Sequence, residues 1–337
     1  MNRVKEMSRF KDDEIVPENE SSEGAGDGID RRNFLGCMAW AGTGLLWSFA
    51  GGVPAARVFA LAGSGGGAEA GKAEDFSFVQ ISDSHIGFNK GANPDVTGTL
   101  TKAIERAGMV PAGTKAADFL IHTGDITQNS KAAEFDTASQ VIKGFKGDLF
   151  YVPGEHDFTD DGDEYKRRFG KGTVGNGWYS FNHKGVHFVG LNNCVQVDAM
   201  GNLGADQMAW LKSDLAGLGG STPVVVFAHI PLWMVYEKWG WGTADGAQAL
   251  ALLKRFGSVT VLNGHIHQVV QKVEGNVAFH TAMATAFPQP APGTAPNPGP
   301  MTVPVGKLAS VLGVTKVKVV RGHSHLAVVD HTLAEQA

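Results

Sequence analysis

Cysteine is almost missing from this chain: there are 2 in 337 residues, Cys37 and Cys194. At most one disulfide is available, so a small cross-linked scaffold is excluded. Charge is scarce as well, at 19% of residues against 43% hydrophobic, which excludes a disordered chain and predicts a globular body. There is no basic excess. The 29 Lys and Arg face 34 Asp and Glu, a formal charge of −5, and nothing points to nucleic acid as a partner. Long apolar runs are lacking too. The one candidate, Phe34–Ala56, is broken by Gly36, Gly42, Gly44, Gly51, Gly52 and Pro54, whereas a spanning helix needs about 20 predominantly apolar residues. No stable transmembrane segment is expected in the mature chain, and no internal repeat is visible.

What is present begins with an address. Residues 1–30 are polar and rich in Gly, Ser and Glu, and read as disordered. Arg31-Arg32-Asn33-Phe34-Leu35 then precedes the glycine-diluted apolar stretch, and Ala60-Leu61-Ala62 supplies a small-x-small cleavage site. This segment resembles a bacterial twin-arginine export signal. The resemblance implies the twin-arginine export machinery as a partner, a periplasmic or secreted destination, and passage of an already folded protein whose metals were loaded beforehand. An uncleaved anchor and a buried helix are the alternative readings of the same stretch. The expected organisation is a leader and signal over 1–62, a Gly-rich linker over 63–75, and one domain over 76–337.

Along that domain short apolar runs alternate with helical patterns. Phe76–Ser82, Phe119–Thr123 and Leu149–Val152 read as buried strands, separated by helices at Leu100–Ala107 and Ala132–Lys143. A hairpin is expected from Trp178–Phe181 and Val186–Leu191, then a helix at Ala205–Leu218, a strand at Val224–Ala228, a helix at Ala247–Phe256 and a strand at Val259–Leu262. Two further hairpins, around Gly275-Asn276 and Arg321-Gly322, complete the count. This alternation predicts an α/β fold with a parallel sheet and crossover helices. Seven of the 14 prolines fall between Pro288 and Pro304, so 288–304 is expected to be a long surface loop, as spacer or as a cover for a site.

Ligands of α/β sheets bind beyond the carboxyl ends of the strands. Those positions hold Asp83-Ser84-His85, Gly124-Asp125, Gly154-Glu155-His156-Asp157, His229, and Gly264-His265-Ile266-His267. Five strand ends thus deliver carboxylates and imidazoles to one rim. Imidazole with carboxylate suits manganese, iron or zinc, and the number of donors exceeds what one catalytic ion needs, so two metal ions are expected. The glycines are expected where the backbone must turn sharply to aim the next side chain.

The ordered series D-x-H, G-D, G-x-H-D, H, G-H-x-H resembles the calcineurin-like metallophosphoesterase superfamily, in its cyclic-nucleotide phosphodiesterase-like branch, over Phe76–Pro288. The resemblance implies a two-sheet αββα sandwich with a bimetal centre at one edge. It implies Asp83, His85 and His267 on the first ion, His229 and His265 on the second, and Asp125 bridging them. It also implies metal-assisted hydrolysis of a small phosphoester, with the ions lowering the pKa of a shared water and stabilising in-line attack. His156 matches the residue that stabilises the transition state or protonates the leaving oxygen, and Asp157 is expected to orient His156 through a carboxylate–imidazole hydrogen bond.

Position 155 departs from the pattern: Asn is usual there, and here Glu155 is expected to ligate with an added negative charge. That favours a trivalent ion or a less anionic substrate, and so a phosphodiester. A phosphomonoesterase, a phospholipase-like hydrolase and a degenerate family member that only binds metal or ligand are the other readings. Beyond the motifs, His122 is expected as a hydrogen-bonded supporting residue, His280 is open, and His323 and His325 are expected to stay outside the site. Trp233, Tyr236, Trp239 and Trp241 form either an aromatic wall for substrate or a plug between sheets.

Overall fold

The computed structural model describes residues 44–50, 53–59, 75–110, 113–195, 200–320, 323 and 326–334. The expected paired arginines, the cleavage site, most of the linker, the 321–322 turn, Cys37 and His325 lie outside the described residues. The chain divides into two units, residues 1–68 and 69–337. In the first, part of the apolar stretch forms an antiparallel hairpin of β1 (Gly44–Ala50) and β2 (Val53–Phe59), with Ala50 opposite Val53. Among the described residues no helix is long and apolar enough to cross a membrane.

The second unit contains two mixed sheets. In one, β3 (Phe76–Ile81), β4 (Phe119–His122) and β5 (Asp148–Tyr151) run parallel, and the antiparallel pair β12 (Gly313–Val319) and β13 (Ala327–Thr332) extends it in the order β13-β12-β3-β4-β5. In the other, β7 (Val186–Gly190), β8 (Val224–Phe227), β9 (Val259–Asn263) and β11 (Val277–Thr281) are parallel, with β6 (Tyr179–His183) and β10 (Gln271–Glu274) as antiparallel edges.

The central strands read as nearly unbroken apolar runs because both faces of each sheet are covered there, whereas edge strands such as β10 are exposed. Alternate residues separate the faces. Phe78, Phe119, Ile121, Phe188, Val225, Phe227 and Leu262 meet between the sheets. Val79, Ile81 and Leu120 point the other way, to α1 (Val96–Gly108), α2 (Ala132–Ile142) and α3 (Asp163–Phe169). Val189, Val226 and Val261 likewise face α4 (Gly204–Ala216) and α5 (Gly246–Leu253). The result is the expected αββα sandwich. Its inter-sheet layer is dominated by phenylalanines in edge-to-face and offset contact, such as Phe119 against Phe188 at 5.3 Å and 89°, the geometry that ring quadrupoles prefer. Short helix α3 was not foreseen from the sequence; its apolar positions amount to little more than Tyr165 and Phe169. The expected Pro-rich segment has no regular secondary structure.

The sheets are also stitched by polar contacts near the strand ends. Buried Gln80 of β3 donates through Nε2 to Thr123 Oγ1 and to the carbonyl of Asn263 on the opposite sheet, both at 3.0 Å. That contact brings the end of β9 to the ends of β3 and β4, where the ligand-type residues lie.

Candidate metal centre

All seven expected ligands converge. Asp83, His85 and His267 form one group of donor atoms within 4.8 Å of each other, and Glu155, His229 and His265 form a second. Asp125 lies between them: its Oδ2 is 3.4 Å from His85 Nε2 and 3.3 Å from His229 Nε2. Asp83 Oδ1 approaches His267 Nε2 at 3.3 Å and His229 Nε2 at 3.9 Å, so it too faces both groups. Glu155 spans the second group, with Oε1 3.0 Å from His265 Nδ1 and Oε2 3.0 Å from His229 Nε2.

Backbone conformation aims these side chains. Asp83, His85, Asp125, His265 and His267 all have positive φ, between 42° and 70°. Such left-handed conformations are uncommon for residues with a Cβ, although Asp and His are enriched among them, and cost about 1–3 kcal/mol each when strained. Paired loops hold them in place. Asp83 N donates to Gly124 O at 3.0 Å, His85 N to Asp125 O at 2.9 Å, and Ala286 N to Asp83 O at 3.1 Å. The loop after β3 is thus laid along the loop after β4.

The expected role of the glycines needs correction. Gly124, at φ 94°, does make a turn that a side chain resists. Gly154 and Gly264 serve instead as points of close approach. A Cβ on Gly154 would lie 2.0 Å from Asp125 Oδ1, and one on Gly264 would lie 1.9 Å from Ser82 Oγ and 2.7 Å from Asp83 Oδ2.

Hydrogen bonds also decide which nitrogen two of the imidazoles present. His229 Nδ1 donates to Thr123 O at 2.7 Å and His267 Nδ1 to Phe287 O at 2.6 Å, so the Nε2 atoms carry lone pairs into the centre. Backbone amides fix the carboxylates. His156 N donates to Asp125 Oδ1 at 3.0 Å, which leaves Oδ2 for the centre, and His265 N donates to both oxygens of Asp83 at 3.1 Å.

This arrangement calls for cations. Nε2 of His229 and Nδ1 of His265 are buried and make no hydrogen bond of acceptable geometry, although carboxylate oxygens surround them. A lone pair facing carboxylates at about 3 Å is repulsive unless positive charge sits between. The electrostatics agree. Burial opposes the protonation of His229, but Asp125 and Glu155 outweigh it and raise its pKa well above the usual imidazole value. Burial opposes ionisation of Asp83, yet the imidazoles of His267, His229 and His85 hold its pKa well below the carboxylate range, and Glu155 is held low by His265 and His229. By contrast, burial drives His85 down to about 3 despite Asp125, so it is a neutral donor. Two groups of N and O donors sharing a carboxylate fit two borderline divalent ions.

His156 stands beside the centre, its ring 4.9 Å from that of His85. Its Nδ1 donates to the carbonyl of Gln128 at 2.8 Å, leaving Nε2 as the nitrogen available to a substrate. The expected Asp157–His156 bond is not formed. Asp157 is fully buried and accepts instead from Gly154 N and Ile126 N at 3.0 Å, and from Thr127 N and Thr127 Oγ1 at 2.9 Å. Four donors converge there because the loops after β4 and β5 must be fastened together. Asp157 is a positioning residue for Asp125 and Glu155, while the Gln128 carbonyl orients His156. A backbone acceptor leaves no trace in sequence, which is why it was missed.

The histidines weighed in the sequence outside the motifs sort as follows. His122 accepts from Gly124 N at Nδ1 (3.2 Å) and donates from Nε2 to Ser84 Oγ (2.8 Å), a buried neutral support whose pKa burial lowers to about 3. His280 bonds Asp330 Oδ2 at 3.0 Å, a structural contact, and His323 is exposed and belongs neither to the donor groups nor to the cavity lining. Cys194 is a free, buried thiol with Sγ 4.0 Å from Glu155 Oε2.

A cavity of about 590 Å³ opens over the centre. The aromatic group expected either as a wall or as a plug between the sheets is divided. Trp233 is core, packed 4.7 Å from Phe279, whereas Trp239 and Trp241 line the cavity. The Pro-rich loop is more than spacer: Gln289 and Asn297–Pro300 form part of the rim.

An αββα sandwich that gathers histidines and carboxylates at its strand ends defines a metal-dependent hydrolase of phosphoric esters once its relatives are considered. The sequence profile of the calcineurin-like phosphoesterases matches residues 76–269, more than half of the chain, and the protein belongs to that family. A glycerophosphodiester phosphodiesterase of Enterobacter lignolyticus is 26% identical over 229 residues, 63% of this chain and 78% of that protein. A Fibrobacter succinogenes protein named "probable cyclic nucleotide phosphodiesterase" is 25% identical over 194 residues, 56% and 71% of the two chains. A dimetal phosphatase from Danio rerio has the same fold, with a TM-score of 0.55 at 13% identity, over 77% of this chain and 97% of that one. The chain is a metallophosphoesterase, and its family uses a dimetal centre.

Proposed function

We propose that the protein hydrolyses phosphodiesters at two metal ions, with Asp83, His85 and His267 on one, Glu155, His229 and His265 on the other, and Asp125 shared. The observation that carries this is the position of Asp125 Oδ2, 3.3–3.4 Å from an imidazole nitrogen of each group. Manganese, iron or zinc bound there supplies Lewis-acid charge to the phosphoryl oxygens and an activated water. The chain's own residues do the rest. The strained strand ends hold the donors rigidly, Asp157 ties two of those loops together, and His156, oriented through Nδ1, offers Nε2 to the leaving oxygen. Glu155 bears on the choice of ester. Three carboxylates against two divalent ions leave a net charge of about +1, which suits a singly charged diester better than a doubly charged monoester.

The test compares bis(4-nitrophenyl) phosphate with 4-nitrophenyl phosphate on protein whose metals have been counted by elemental analysis. The diester should react faster, at two ions per chain, and Asp125→Asn should abolish turnover. A preference for the monoester would support a phosphomonoesterase, and turnover unaffected by chelator would remove the metal mechanism.

The same proposal includes export. The pair Arg31-Arg32 followed by Phe34-Leu35 supports passage through the twin-arginine machinery to the periplasm or beyond, with metals already loaded. Replacing both arginines by lysine should retain the precursor inside the cell; unchanged export of that variant would refute this part.

A further inference from the structure

The cavity over the centre is far larger than a phosphoryl group needs, and lies in the range that accommodates a ligand of drug size. At its base lie Asp125 and Glu155, whose charge the proposed ions offset, and away from the centre the lining carries one lysine or arginine among the described residues, Lys90. No hydrogen bond or ion pair engages the Lys90 ammonium among the described residues, and the side chain is exposed. Its position is nevertheless built. Phe88, two residues before it, is buried against Phe287 at 4.3 Å. The Lys90 carbonyl accepts from Asn93 N at 3.0 Å, and buried Asn93 is itself tied to the carbonyl of Ala286 at 2.6 Å. This loop runs directly on from His85. Its buried residues on either side, Phe88 and Asn93, leave Asn89 and Lys90 lining the cavity.

We propose that the substrate is a phosphodiester whose alcohol arm carries a second anionic group, a carboxylate or a phosphate, and that Lys90 reads it. This rests on the diesterase reading above. A phosphoryl group seated at the metal ligands leaves most of the cavity for the substituents, and Lys90 is where an anion on a substituent finds its partner. Apart from the imidazoles of His85, His156, His265 and His267 at the centre itself, the lining offers such a group only carboxylates, side-chain amides, aromatic rings, glycine and proline, and the chain as a whole carries a net charge of −5. Lys90 therefore separates diesters with an anionic arm from those with a neutral one.

The experiment uses three 4-nitrophenyl diesters with the metal-loaded protein: propyl, 2-carboxyethyl and 2-phosphonooxyethyl. At low salt at least one anionic ester should exceed the propyl ester in kcat/KM by about fivefold, the scale of an exposed ion pair, through KM more than kcat. That advantage should shrink as ionic strength rises. Lys90→Gln should bring the ratio to about one and Lys90→Glu below one; the side chain has no partner among the described residues, so both variants should fold. The better of the two anionic esters identifies the group. Turnover of all three without an anionic preference, or a preference that survives Lys90→Gln, overturns the inference and leaves the diesterase reading standing. Hydrolysis of 4-nitrophenyl phosphate with none of the diesters attacked overturns both.

Discussion

Replacing Asp157 by asparagine isolates what this carboxylate does. The side chain is fully buried, with two donors on each oxygen: Gly154 N and Ile126 N on Oδ2, Thr127 N and Thr127 Oγ1 on Oδ1. An amide has one oxygen, so its NH2 must face one pair. Facing Gly154 and Ile126, it would orphan two backbone N–H groups. Facing Thr127 it orphans one, because the threonine hydroxyl can rotate to accept. The second arrangement is the cheaper: one buried N–H loses its partner at about 1–3 kcal/mol, and the surviving bonds lose their charge assistance. A total of about 3 kcal/mol corresponds to a melting temperature lower by roughly 5 °C for a domain of this size. Thermal denaturation with both metals at fixed excess reads this directly. If Asp157→Asn melted within 2 °C of the wild type while its pH–rate profile shifted, Asp157 would act on His156 and not on the loops, and the assignment made here would be wrong.

Replacing His156 by alanine should lower turnover by about 10²–10⁴-fold with two ions still bound, since Asp83, His85 and His267 on one side, Glu155, His229 and His265 on the other, and Asp125 between them would still hold both; loss of metal on elemental analysis would contradict this. Glu155→Asn should keep a ligand at the second site but remove one negative charge, moving the diester-to-monoester rate ratio toward the monoester. An unchanged ratio would end the charge argument. Asp118 predicts an acid limb in stability. Burial raises its pKa, but Lys184 Nζ at 2.5 Å and His183 Nε2 at 2.7 Å outweigh that and lower it below the ordinary value. Its contribution is therefore fully present above the unfolded carboxyl pKa of about 4 and is lost as pH falls through the lower folded value, so Asp118→Asn should flatten the stability curve below about pH 4 in denaturant titrations.

Much of the fold was legible because the central strands of a sandwich buried on both faces must be largely apolar. Val224–Phe227 and Phe119–Ile121 show this, each a run with no exposed position. The centre was legible for a related reason. Parallel strands end on one side, so Asp83, Asp125, Glu155, His229 and His265 could be placed together from chain order alone. Hairpin ends and the register of α3 were less so, since tertiary packing and not local periodicity sets where β6 stops and where Tyr165 turns inward.

The supports of the site were hidden for a different reason: they are backbone atoms and conformations, which no side-chain pattern encodes. The carbonyls of Thr123, Phe287 and Gln128 choose the imidazole tautomers, yet the side chains of those residues have no bearing on that choice. The left-handed backbone at five ligands has no motif beyond the mild tolerance of Asp and His for positive φ. At about 1–3 kcal/mol each, those five conformations amount to a sum comparable with the whole stability of a typical domain. Such strain persists only where surrounding contacts over-determine it, which explains why so many fastenings surround the centre: Gln80 between the sheets, Asp157 between two loops, Ser84 with His122 beneath them. Asp157 lies in the same motif as the ligands, and adjacency to His156 suggested a partnership. Spatially the carboxylate is turned toward the loop amides, because an unpaired buried N–H is costlier than an imidazole that already has a carbonyl to bond.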